Sequence, residues 1–515
     1  MIGRIKAFVG LVLFTAPIQV QGISRTSEWF QAERNAENAV VQIVAHHAHF
    51  NWLEPYKAPK QKEGCGTGFL IDALGHLLTN FHVVEGAKSL KVFMPALGQK
   101  SVDARIVGVC PQADVALLKI SDDGLAAIKS LLKRVPFLKF GDADSLYPTE
   151  PVLALGYPLG KNVLKSTVGV VAGLRELMCD KFVMHITAPI NPGNSGGPLL
   201  NLAGHVVGIN SAGIPGAQSI GYSIPINDVA ILMKDLKSMK LVRKPYLGIC
   251  CNETTEEHAR ALGNPLPAGA YINAVENGSL AQKAGIEPGD MLYSINGYPV
   301  DSYGDVTVKW PGSFKVSFRE YLVRLPSKAK LRLQIYRKGK EKIVATSNEV
   351  TQPQPNRYVH ADYEPTEVDY EVMGGACFMQ LRQNHLDFFE RVPHLQKYRQ
   401  SSDQSKQALL ITKLLPGSIF HRSGCLHEGV LLSEINGKKV ETLSQLREAL
   451  KESSSTGVIS LTTKDKIATV VSLDELVKDE KRITKDFMFS TTPGMKSLIT
   501  SRKKVLDRSI VDLSH

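Results

Sequence analysis

Between Phe182 and Ala188 the chain alternates, with Phe182, Met184, Ile186 and Ala188 on one side and Val183, His185 and Thr187 on the other. A period of two predicts a strand with one buried face. Short apolar runs bounded by turn residues recur at Asn38–Ala45, Thr67–Asp72, His76–Thr79, Lys91–Met94, Ala104–Val109 and Val115–Ile120, and again at Val152–Leu155, Val168–Leu174, Pro198–Leu202 and His205–Asn210. So many short strands predict an all-β barrel region. Ala45–Gly64, with His46, His47 and His49, shows no period and reads as an irregular insertion. Helical spacing appears at Trp29–Glu37, after Ser27, and at Val229, Leu232, Leu236 and Met239, where Asn227-Asp228 supplies a cap. Arg243-Lys244-Pro245 then marks a boundary.

Past that boundary the pattern mixes strands with helices. Ala270–Gly297 predicts a strand, a short helix ending at Gly285, a Pro288-Gly289 turn, and a strand running into an Asn-Gly hairpin turn. A helix is expected at Ser317–Leu325, then a hairpin of Lys330–Tyr336 with Lys342–Thr346. The Pro-containing polar stretch 351–370 reads as a linker. A divergent second copy follows at 371–475, built on Gly374–Leu381, Ala408–Leu415 and Leu431–Gly437, with a helix at Ser444–Leu450 and a hairpin over Lys464-Asp465. It lacks the Pro-Gly-Asp turn, carrying Leu426-His-Glu-Gly-Val430 instead, and a charged tail occupies 476–515.

A chain of 515 residues exceeds one core, so about three globular units are expected. Net charge is +11 and pI 9.1, yet no nucleic-acid motif accompanies the excess, which reads as solvated surface rather than a nucleic-acid site. At 1–22, Arg4 and Lys6 precede an apolar run from Ala7 to Val20 that is shorter than a membrane span needs. A secretory signal peptide is expected there, leaving no transmembrane span in the mature chain; an uncleaved anchor or an organelle-targeting peptide is the alternative. Seven cysteines are few and odd in number, so a dense disulfide framework is not expected, and they form no metal-ligand spacing. The three histidines near residue 47 have no cysteine or carboxylate at ligand spacing, and neither metal nor cofactor is expected.

The chemistry centres on Asn191-Pro-Gly-Asn-Ser-Gly-Gly-Pro-Leu-Leu200. Ser195 sits among glycines that permit a sharp turn, and the main-chain N–H groups of Gly193 and Ser195 are positioned to hold an oxyanion. A serine needs a base, and His82 ends an apolar run while Asp114 opens a strand. The order His82, Asp114, Ser195 is one of the chain orders of a Ser-His-Asp triad. His76, after a turn glycine, is expected to face solvent, and His185 to point outward.

These residues, with Gly66–Leu70, Leu155–Gly160, Gly193–Pro198 and Ile220–Pro225, resemble the HtrA/Deg family of PDZ-containing chymotrypsin-like serine endoproteases. The resemblance implies a mainly β chain: a two-barrel protease domain at 23–241, a PDZ domain at 242–350, and a second PDZ-like α+β domain. It further implies ATP-independent cleavage of unfolded or damaged polypeptides, with holding activity, in a trimer or multiple of trimers outside the cytosol: the periplasm, or an organelle lumen in a eukaryote. By likeness, the 45–64 insertion is a regulatory loop and Trp29 and Phe30 pack between subunits, with packing inside one chain as the equal alternative. The oxyanion hole is expected at Gly193, Asn194 and Ser195, and the specificity pocket at Ala188, Pro189, Ile190 and Ile220. Without a carboxylate there, small or medium apolar residues are the expected cleavage sites. Tyr246, Leu247, Gly248 and Ile249 would form the nest for a peptide's terminal carboxylate. Asn194 makes no ion pair with a freed N-terminus, which leaves ordering by peptide or oligomer contacts as the expected activation. A non-enzymatic PDZ-based holdase or scaffold is the rival reading.

Overall fold

A computed structural model describes residues 23–158, 163–178, 181–213, 220–310, 314–326, 328–349 and 356–512. The expected signal segment and Cys179 lie outside them. After helix α1 (Ile23–Ala36), six strands close one barrel: β1 (Val40–His49), β2 (Lys60–Leu70), β3 (His76–Thr79), β4 (Ala87–Phe93), β5 (Ser101–Cys110) and β6 (Val115–Ile120), in the order β1-β2-β3-β6-β5-β4. A single-turn helix α2 (Phe81–Val84) joins β3 to β4, and α3 (Asp122–Leu132) follows β6. The second barrel is β7 (Pro151–Gly156), β8 (Lys165–Met178), β9 (Lys181–Ile186), β10 (Pro198–Leu200), β11 (Val206–Gly213) and β12 (Gly221–Pro225), closed as β10-β11-β12-β9-β8-β7. Closure removes sheet edges and turns one face of every strand inward. Helix α4 (Ile226–Ser238) buries Val229, Leu232 and Leu236.

Three details differ from the sequence reading. Asn227 does not cap α4; its amide spans to Asp142, Asp144 and Ala143 N at 2.8–2.9 Å. Met239 lies past the helix end and is exposed. The insertion at 45–64 is regular at both ends, because β1 and β2 extend as a hairpin with His46 opposite Glu63 and His49 opposite Lys60, and only 50–59 is irregular. His47 Nδ1 bonds the Glu85 carbonyl at 2.7 Å, and the His47 and His49 rings stack at 5.3 Å.

The next unit orders β13 (Ile249–Asn252), β14 (Ala270–Val275), β15 (Met291–Ile295), β19 (Lys330–Arg337) and β20 (Lys340–Ser347), with β16 (Tyr298–Pro299) on β15 and a separate β17 (Asp305–Val308) and β18 (Phe314–Ser317) hairpin. Its helices are α5 (Glu256–Ala261), α6 (Leu280–Lys283) and α7 (Phe318–Arg324), the last capped by the Ser317 hydroxyl. One end of α7 reaches the protease barrels. Arg324 bonds Asp144 at 2.8 Å and Asp228 at 2.5 Å, its guanidinium stacks over Trp310 at 4.3 Å, and Glu320 pairs with Arg175.

The second copy adds a strand that the first does not have among the described residues. β21 (Tyr370–Met373) turns through Gly374-Gly375 and pairs antiparallel with β22 (Ala376–Gln380), Tyr370 opposite Met379. The sheet continues through β23 (Leu409–Leu414), β24 (Leu431–Ile435), β26 (Val458–Thr463) and β27 (Ala468–Ser472), with β25 (Lys438–Lys439) on β24. Short helices α8 (Gln383–Leu386), α9 (Pro393–Gln396), α10 (Ser401–Gln404) and α11 (Ile419–Ser423) lie between strands, and α12 (Leu443–Glu452) carries Arg447, which holds Glu371, Asp369 and the Tyr370 carbonyl. The stretch read as a charged tail forms α13 (Leu473–Asp486) and α14 (Pro493–Asp512), which bury Leu476, Ile483, Met495 and Leu498 against this unit. Spacing of three and four between apolar residues, hidden among lysines and acids, makes these helices amphipathic.

Candidate active site

His82 stands on α2, at the seam between the barrels. Asp114 ends a tight turn in a left-handed conformation, φ 56° and ψ 43°, which aspartate tolerates better than bulkier residues. That turn brings the carboxylate back to α2, where Oδ1 accepts from His82 N at 3.0 Å and Oδ2 lies 2.9 Å from His82 Nδ1. Ser211 Oγ donates to the same Oδ2 at 3.1 Å, and Lys181 Nζ stands 3.8 Å away. Burial pushes the Asp114 carboxyl up, but the His82 hydrogen bonds and the Lys181 charge outweigh it and hold it below the ordinary carboxylate value. The other sequence candidates are engaged elsewhere: His76 is mostly covered and bonds Asp72 at 2.7 Å rather than facing solvent, and His185 lies 3.3 Å from Glu176.

The serine loop crosses from the second barrel to the first. Thr67 on β2 stitches it, its N–H donating to Ser195 O at 2.9 Å and its hydroxyl to Gly193 O at 2.6 Å. Gly196 takes φ +85°, and a Cβ there would collide with the Thr67 carbonyl and the Thr79 hydroxyl, so the crossing requires glycine. Ser195 Oγ donates to the Ser211 carbonyl at 2.7 Å; among the described residues it makes no hydrogen bond to His82. Asn194 N–H is taken by Asn191 O at 2.9 Å. The N–H groups of Gly193, at φ +102°, and of Ser195 have no acceptor among the described residues, so two adjacent donors are free to meet an anion. Of the three residues expected at the oxyanion hole, Gly193 and Ser195 therefore offer an open N–H and Asn194 does not.

At the expected pocket, Ala188 and Ile190 are buried, Ile220 is half-buried and Pro189 is exposed. Gly221 packs between them, so that a Cβ would lie 2.6 Å from Ala188 O and 2.8 Å from Ile190 Cγ1. None of these side chains is charged. Thr67, Ser211 and Lys181 were missed in the sequence; only Thr67 carried a signal, being flanked by glycines in Gly66-Thr-Gly68.

In the PDZ unit, β13 is the edge strand. Leu247 is buried, Gly248 takes φ +81°, and neither N–H finds an acceptor among the described residues. Tyr246 O–H donates to Glu276 at 3.0 Å. An edge strand beside N–H groups that are open among the described residues is what strand addition of a peptide needs. In the second copy, the corresponding edge of β22 is covered by β21.

A trypsin-like peptidase domain family matches residues 66–209, and PDZ domain families match 271–307 and 359–492. A probable periplasmic serine endoprotease DegP-like from Marinomonas sp. (strain MWYL1) is 29% identical over 416 residues, covering 78% of each chain. One of the same description from Hahella chejuensis is 29% identical over 419 residues and 80% of each. The serine protease Do-like HtrA of Bacillus subtilis is 35% identical over 262 residues, 47% of this chain and 56% of its own. Among solved structures, the HtrA-type protease AlgW with tripeptide superimposes with a TM-score of 0.51 at 26% identity, covering 64% of this chain and 98% of that one. Among the described residues no helix is long and apolar enough to cross a membrane. With two closed barrels and serine endoproteases as its relatives along most of its length, the chain carries a trypsin-like peptidase domain followed by two PDZ domains and is similar to the DegP-like and HtrA serine endoproteases.

Proposed function

We propose that Ser195 attacks the scissile carbonyl, with His82 taking its proton and returning it to the leaving amine. Asp114 fixes the imidazole tautomer and stabilises its cation. Gly193 and Ser195 N–H groups hold the oxyanion, each such donor being worth about 10²–10³ in rate. The observation that carries this reading is the 2.9 Å His82–Asp114 pair beside a serine whose own N–H and that of Gly193 have no acceptor among the described residues. Catalysis then requires the Ser195 hydroxyl to rotate from the Ser211 carbonyl toward His82, a step coupled to substrate or peptide contacts.

The substrates are unfolded or damaged polypeptides. Ala188, Pro189, Ile190 and Ile220 offer no partner for a cation, which favours Val, Ala or Ile at the cleaved position. The nest at Tyr246–Ile249 takes their C-termini. The protein is exported to the periplasm, as the names of its relatives suggest, and assembles as a trimer or a multiple of trimers, for which the exposed Phe30 on α1 supplies a contact. Digestion of reduced, unfolded casein followed by mass spectrometry tests the reading. Fragments ending in small apolar residues, absent with Ser195→Ala, are expected; intact casein held in solution by both proteins would favour the scaffold instead.

A further inference from the structure

The segment at 356–369 was read as part of a linker, yet it docks on the helix that bears His82. Phe81, the residue before His82, is buried in the first barrel and meets His360 edge-on at 5.2 Å between ring centroids and Tyr363 at 6.4 Å. Tyr363 packs onto the same core, and its hydroxyl is held protonated mainly by burial. Around this contact, His360 Nδ1 stands 3.5 Å from Glu85, Lys88 pairs with Asp362, and Glu364 pairs with Arg243 from the end of the protease domain.

The same segment is anchored at its other side to the second PDZ-like unit. Gln383 N of that unit donates to Arg357 O at 3.1 Å, Arg382 bonds Glu367 at 2.5 Å, and Asn384 Oδ1 accepts from Val359 N at 2.8 Å. The 50–59 loop reaches over to the same unit, with Trp52 edge-on to His385 at 5.2 Å and beside Val359 and Met379. The His82 helix thus rests on a surface whose position the second unit sets.

We propose that His360 and Tyr363 are positioning residues for the general base, and that the second PDZ-like unit acts through them to hold α2 in register with Ser195. The reasoning is mechanical. A one-turn helix has too few internal hydrogen bonds to fix itself. Phe81 N donates to Asp114 O at 3.1 Å and His82 N to Asp114 Oδ1 at 3.0 Å, so the two neighbours share one anchor. Tilting Phe81 into a vacated space carries the imidazole with it, and a misplacement of about 1 Å costs up to about 10² in rate.

This inference rests on the triad reading above, and the test separates the two. In the full-length protein, His360→Ala/Tyr363→Ala is compared with His360→Phe/Tyr363→Phe, which keeps rings in both places. The readouts are kcat and KM on a short peptide, the rate of labelling by a fluorophosphonate, and hydrogen exchange over 80–86 in a Ser195→Ala background. The expected result is a fall of about tenfold or more in kcat and labelling rate for the alanine pair with KM held. Faster exchange confined to 80–86 should accompany it, with the phenylalanine pair restored to near wild type. Unchanged kcat and exchange in the alanine pair would overturn the proposal, as would a phenylalanine pair as impaired as the alanine one. If the alanine pair proves unfolded, the exchange of the phenylalanine pair decides: protection of 80–86 as in wild type supports the brace, and loss of it refutes it. A wild type that the fluorophosphonate does not label would instead overturn the triad reading.

Discussion

Glu480 on α13 offers a stability change with a defined sign. Only 1% of the residue is exposed, neither carboxylate oxygen has a hydrogen-bond partner among the described residues, and it faces Glu371 of β21 and its neighbour Asp479. Arg447 serves Glu371 and Arg482 serves Asp479, which leaves Glu480 without a cation among the described residues. Burial first, then those two carboxylates, push its carboxyl up from 4.5 to about 8. Below the unfolded value both states are protonated and the fold bears no penalty. As pH rises toward about 8 the unfolded chain ionises while the folded one holds its proton, so stability falls with pH across that window. At about 1.4 kcal/mol per unit, the penalty at pH 7 is about 3 kcal/mol. Glu480→Gln, isosteric with the protonated acid, removes the dependence. Urea pulse proteolysis in a Ser195→Ala background, reading fragments from 356–512 at pH 5 and pH 8, should show wild type losing stability with rising pH and the variant losing about 3 kcal/mol less. Equal pH slopes in the two proteins would refute the argument.

Other outcomes follow from the same contacts. Lys181→Met removes a cation beside the His82–Asp114 pair and should move the acid limb of the kcat/KM profile to higher pH, an effect that shrinks with added salt because Lys181 is partly exposed. Arg324→Ala removes a buried cation from Asp144, Asp228 and Glu320, of which Asp144 and Glu320 keep Arg175, and calorimetry should show a loss of about 3–5 kcal/mol. Gly248→Ala places a methyl into Ser279 at a left-handed φ and should abolish binding of a labelled peptide with a free C-terminus. One peptide should bind per chain, since β21 fills the second edge; titration giving two would contradict that.

How far the sequence reached depends on where each feature keeps its information. The serine loop and the Asn296-Gly297 hairpin are local: glycine and short polar residues leave marks where they sit. The barrel strands were legible because one buried face imposes a period of two. The β1–β2 extension was not, since both faces of 46–49 and 60–63 are largely polar and only pairing with each other makes them strands. The docking of 356–369 was hidden for a related reason: its aromatic residues are scattered, and their partners are hundreds of residues away. Lys181 at Asp114 is likewise a meeting of distant residues. Asn227 was misread because a good capping residue also suits a cross-link to Asp142 and Asp144, and tertiary contacts decided between the two uses.

The central claim is that Ser195 becomes a nucleophile through His82. Intact-mass analysis after exposure to a fluorophosphonate tests it most directly: wild type should gain one adduct on the peptide containing Ser195, while Ser195→Ala gains none and His82→Ala reacts slower by several orders of magnitude. Equal labelling of wild type and His82→Ala, or an adduct on Ser195→Ala, would contradict it.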